Sequence, residues 1–170
     1  MKTLKVILLL SVILLGFKPA KADPPTLSAA LNNVTKAYLK IKNALITSNA
    51  STVQSKALDL IAALNAVPDA GMTAEQHAVW FDYLNKLEFD SRHMSESGAI
   101  DHQREHFSSL SDNLYTVLKT FRLNTSTLYR QYSSKTKTYW ISETAAIKNP
   151  YFGNGPMLND GGIKEVLKAK

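Results

Sequence analysis

Histidine is the residue type in this sequence that could hold a metal ion, and its spacing suggests where. His102 and His106 stand four apart. On a helix this sets both imidazoles on neighbouring turns of one face. A turn at "SESG", residues 95–98, would bring His93 back alongside them. Three imidazole nitrogens in one place suit a borderline metal such as copper or zinc. Met94 could add a soft thioether, and Asp101 and Glu105 could accept hydrogen bonds that fix the ring tautomers. The plainer reading stays open beside this one: helix surfaces carry histidines, and His106, only partly on the apolar side, suits a half-buried, hydrogen-bonded ring. His77 falls inside an apolar stripe and is expected to be a core histidine, not a fourth ligand.

Little else in the chain is equipped for chemistry. There is no cysteine, no Gly-x-Ser-x-Gly turn and no phosphate-binding loop. Gly153-x-Gly155 lacks the third glycine of a dinucleotide fingerprint and follows a proline turn, not a strand. No Glu-x-x-His pair exists for a di-iron bundle. These absences point to a protein that is not an enzyme.

The elements that must position the histidines are mostly helices. Thr26 is a fair N-cap for a first helix with Leu27, Leu31, Val34, Tyr38, Ile41 and Leu45 on one stripe. Asn49 breaks it. Ser51 with Gln54 forms a candidate capping box for a second helix, striped by Val53, Ala57, Leu60, Ile61 and Leu64 and ended by "VPDAG" at 67–71. Thr73 with Gln76 caps a third, carrying His77, Trp80, Phe81, Leu84 and Leu87 on one side and running to about residue 94. The fourth buries Phe107, Leu110, Leu114, Val117, Leu118 and Phe121. Short polar loops between them predict an up-down four-helix bundle, mainly α.

From about residue 125 the composition changes. "TLYRQYS" and "TYWIS" suit strands and flank "SKTKT", predicting a short β-hairpin. Ser142 could cap a helical turn through Ile147, ended by Asn149-Pro150. "GGIKEVLKAK" is expected to close the chain as a short helix. Between them lies "NPYFGNGPMLNDGG", residues 149–162, the densest run of turn formers in the chain.

The start of the sequence predicts export. Lys2 and Lys5 precede an apolar stretch, Val6 to Leu15, too short to span a bilayer, and Ala20-Lys21-Ala22 offers a cleavage site before Asp23. Residues 1–22 are thus expected to be a signal peptide and 23–170 a single periplasmic or secreted domain with no membrane span. The full chain has 20 Lys+Arg against 14 Asp+Glu. Four of those lysines leave with the leader, so 16 against 14 gives +2 and little support for nucleic-acid binding. Sequons at Asn33, Asn49 and Asn124 matter only in a eukaryotic source.

At "HAVWFDYLNKL", "HQREHFSSLSDNLYTVLKTF" and "YWISETAAIKNPYFG" the chain resembles the bacterial domain-of-unknown-function family 3347. The resemblance runs from about Ala37 to Leu167, most specifically through Gln-Arg-x-x-Phe at 103–107, Trp-x-Ser and Asn-Pro-Tyr-Phe-Gly. It implies export, a helical bundle, and a contextual link to copper or silver handling, since such domains also occur fused to periplasmic adaptors of heavy-metal efflux pumps. It further implies that the turn-rich loop is ordered, a structural clamp of Trp140, Asn149, Pro150, Tyr151, Phe152 and Gly153 with Tyr151 and Phe152 plugged into the bundle. Where the family pattern has two cysteines that the hairpin and loop would bring together, Ser133 stands at the first and Asp160 near the second. That loss of thiols leaves the histidines as the candidate ligands. The expectation is a non-enzymatic heavy-metal binding or efflux accessory, with a periplasmic efflux or cell-envelope protein as partner. A scaffold that binds no metal is the alternative, and a bundle holding haem between His and Met is a third.

Overall fold

A computed structural model describes residues 25–170, so the expected leader lies outside the described residues. Four helices come first: α1 (Leu27–Ile46), α2 (Ala50–Asn65), α3 (Ala74–Glu96) and α4 (Ile100–Phe121). Each packs mainly on its neighbour in sequence. Three strands follow, β1 (Leu128–Ser133), β2 (Thr138–Ser142) and β3 (Gly162–Leu167), in one antiparallel sheet of order β2-β1-β3. The protein is mainly α with a β extension, as the sequence pattern predicts.

The helix starts follow from local hydrogen bonding. The Thr26 hydroxyl accepts from the Ala29 N–H, and Thr73 with Gln76 forms the full reciprocal capping box. The expectation for α2 needs correction. Its cap is Asn49, whose carboxamide oxygen accepts from the Thr52 N–H at 3.0 Å, while Gln54 instead reaches across to the Ser95 carbonyl. Asn is as good a cap as Ser and stands two positions earlier, so the helix begins there.

The side between α1 and α4 is closed by the sheet. Tyr38 of α1, fully buried, stacks on Phe107 of α4 with centroids 5.0 Å apart. Its hydroxyl meets Ser111 of α4 at 2.7 Å and accepts from the Ile141 N–H of β2 at 3.0 Å. Burial pushes the Tyr38 phenol well above its usual pKa. Trp140, Ile141 and Leu128 complete the same core. Arg130 ties β1 to α4 through Asp112 and to β3 through Glu165, its guanidinium lying 4.4 Å from the centroid of Tyr115 and 4.0 Å from that of Tyr139.

Two expectations for the tail are overturned. The last segment is the strand β3, not a helix. A helix of ten residues is marginal alone, whereas β1 offers an open edge on which Leu167 pairs with Leu128. No helical turn follows Ser142 either. The Gln131 amide, buried under the sheet, donates to the carbonyls of Thr144, Ala145 and Ala146 and holds that loop as bends.

The turn-rich loop is held in place by hydrogen bonds centred on Asn149. Asn149, fully buried, receives the Tyr151 N–H on its side-chain oxygen and donates its amide to the Asp160 carbonyl, while its own N–H donates to Leu158. Tyr151 lies between Phe107 and Trp140 and donates its hydroxyl to the Tyr139 carbonyl at 2.7 Å. Phe152 next to it is half-buried, and Pro150 is buried. Gly153 adopts φ +60°, and a Cβ there would collide with the Ser48 hydroxyl and Arg104 guanidinium. The Gln-Arg-x-x-Phe motif proves structural. Gln103 donates to the carbonyls of Ala50, Met94 and Ser97. Arg104 joins the Pro150 carbonyl to Ser48 and Leu45 at the end of α1, and Phe107 carries the stack with Tyr38.

Candidate metal centre

The antiparallel pairing of α3 and α4 brings His93, His102 and His106 together. One ring nitrogen from each lies within 4.8 Å of the others, and all three side chains are half-buried. The His93 and His106 rings stack with centroids 4.5 Å apart, and His102 meets His106 edge-on at 4.7 Å. Nitrogens around a tetrahedral zinc, at bonds of about 2.0–2.1 Å, sit roughly 3.3 Å from one another, so the stacked His93 and His106 rings would turn to bring their in-plane lone pairs onto one ion. The donor chemistry fits copper(II) or zinc, for which imidazole is a suitable ligand.

Sequence reasoning missed the best support of this cluster. Asp90, one turn before His93 on α3, is buried with its side chain 6% exposed, and its carboxylate lies 2.9 Å from His106 Nδ1. A carboxylate only accepts, so His106 donates from Nδ1, and Nε2 is the ring nitrogen left to bind a metal, the arrangement that orients metal-binding histidines. The available signal was an acidic residue on the buried side of a helix, three positions before a candidate ligand. Of the two predicted helpers, Glu105 stands 3.5 Å from His102 Nδ1. Asp101 serves Arg104 instead, at 3.1 Å, because a guanidinium one turn on competes for it.

Met94 is also reassigned. It is fully buried in the hydrophobic core. Successive helical residues point about 100° apart, so it cannot share the outward direction of His93. His77 is not a core histidine: it is exposed and lies against the exposed Phe81, centroids 4.5 Å apart. The buried line of α3 is Trp80, Leu87, Asp90, Ser91 and Met94. A four-residue spacing drifts by about 40° per step, and His77, Phe81, Asn85, Phe89 and His93 therefore cross the solvent face.

Ser133 and Asp160 are brought together as the resemblance implies. The Ser133 hydroxyl donates to the Asp160 carboxylate and accepts from the Lys135 and Thr136 N–H groups at 3.3 Å. Two oxygen groups bonded to each other with Lys135 3.7 Å away form a turn lock, not a soft-metal site.

Four antiparallel helices sealed by a small sheet define a helical domain with a surface histidine cluster. Residues 34–126 match the family described as "Protein of unknown function (DUF3347)", and the chain belongs to it. The matched stretch covers α1 from its second turn through α4 and contains all three histidines, while the strands and the clamp lie beyond it. No curated protein and no solved structure matches the chain. No described helix is long and apolar enough to cross a membrane.

Proposed function

We propose that this is an exported, non-enzymatic protein that captures a heavy-metal ion on the outer face of α3 and α4, as an accessory in metal homeostasis or efflux. The observation that carries this reading is the three imidazole nitrogens within 4.8 Å, with the His106 ring held by buried Asp90. Three nitrogens without a thiolate favour copper(II) or zinc over silver. The ligands stand at the surface, where an ion is exchanged readily, which suits a carrier or sensor better than a structural site.

Titration of the exported form with zinc and copper(II), followed by calorimetry and thermal melting, tests this. One ion per chain is expected, lost in the His93→Ala/His102→Ala/His106→Ala variant. At free metal of 100 times Kd the native state gains about 2.7 kcal/mol. Equal melting temperatures with and without metal would instead leave an interaction module for a cell-envelope partner. Phe81 and Phe89 favour that second reading, being 52% and 56% exposed on the same helix.

A further inference from the structure

The outer row of α3 has an internal symmetry. His77, Phe81, Asn85, Phe89 and His93 follow at a constant step of four, with a histidine at each end, a phenylalanine next inside, and Asn85 at the centre. Each phenylalanine lies against its outer histidine, at 4.5 Å for His77–Phe81 and 4.3 Å for Phe89–His93. Both phenylalanines are more than half exposed, an unusual surface cost on a helix whose opposite side already supplies Trp80, Leu87 and Met94 to the core.

We infer that this row is the contact between two copies of the chain, and that His77 of each copy completes the metal site of the other. The inference rests on the metal reading above. A two-fold axis passing by Asn85 sets the row of one copy along the row of the other in reverse. Phe81 then meets Phe89 of the second copy, and His77 arrives beside the second copy's His93, His102 and His106. Rows of four-residue step are inclined by about 26° to a helix axis, and two of them laid together give the common helix crossing of about 50°. The row spans about 24 Å, enough for both metal sites to lie at the two ends of one interface. Three imidazoles leave a tetrahedral ion one position short, and a fourth from the partner closes it.

The same symmetry explains why the pairing needs the ion. Asp82 and Glu88 stand equally far on either side of Asn85. Each comes close to its own symmetry mate near the axis, and like charges there oppose association. The chain without metal is monomeric; metal tips it to a dimer with two ions.

Sedimentation velocity of the exported form, with and without one equivalent of zinc, tests this. The expected result is a monomer without zinc and a dimer with one zinc per chain. His77→Ala should keep one zinc per chain, bind it at least tenfold more weakly, and remain monomeric. Phe81→Ser with Phe89→Ser should also stay monomeric. Because the chain has no cysteine, Asn85→Cys supplies a single thiol at the axis, and mild oxidation should cross-link it only when zinc is present. Zinc bound by a persistent monomer, or a zinc dimer indifferent to His77→Ala, would overturn the dimer and leave the metal reading standing. Failure of the unaltered protein to bind zinc would remove both.

Discussion

The clamp and the histidine face are built on opposite terms. In the clamp Asn149 and the Tyr151 hydroxyl have fixed hydrogen-bond partners, and the aromatic residues Trp140 and Tyr151 are packed between α4 and the sheet. On the outer face of α3 Phe81 and Phe89 meet solvent, His77 lies against Phe81, and His93 stacks on His106 beside Phe89. The densest run of turn formers in the chain is architecture. The residues able to do chemistry sit where packing asks least of them. A surface that is neither needed for the core nor made inert is where a function should be sought.

The largest test of this contrast is Trp140→Ala. Removing a fully buried indole should cost about 3–5 kcal/mol, lowering Tm by on the order of 10 °C, with zinc stoichiometry unchanged in the folded fraction. Next is Gly153→Ala, where left-handed backbone and the contact with Ser48 and Arg104 predict a loss of about 1–3 kcal/mol by chemical denaturation. On the other face the signs separate. Asp90→Asn should weaken zinc or copper binding by about 10–100-fold in calorimetry, since the replacement cannot hold His106 as a carboxylate does. If Asp90→Asn left affinity intact while Trp140→Ala abolished it, the division between the two regions would be wrong.

The smallest expected effect is at the sheet edge. Lys119, Tyr115 and Arg130 around Glu165 hold its carboxyl down at about 2. A depressed carboxyl contributes stability above its ordinary value of 4.5 and loses it as pH falls toward 2. Glu165 is partly exposed, so the contribution is about 0.5 kcal/mol. Glu165→Gln should lower Tm by a degree or two at neutral pH, and the gap to the unaltered protein should close across that acid range.

The helices were legible because their stripes and caps are local. Thr26 and Thr73 needed only their own first turns, and Leu31, Tyr38 and Leu45 needed only a period. The three-histidine cluster was legible for the same reason, being one hairpin deep. What escaped depended on partners far along the chain. β3 became a strand because β1 offered an edge, and the loop after Ser142 stayed irregular because Gln131 collected its carbonyls. His77 and Phe81 were misplaced because a four-residue stripe drifts round the helix, while the buried residues follow a step of seven through Trp80, Leu87 and Met94.

The bond from the Ile141 N–H to the Tyr38 hydroxyl joins positions 103 residues apart. A chain that emerges N-terminus first, from a ribosome or any other channel, therefore cannot seat α1 fully until almost all of it is out. Until then the sheet that seals α1 against α4 is incomplete, and the contacts that close the core are among those of long sequence separation.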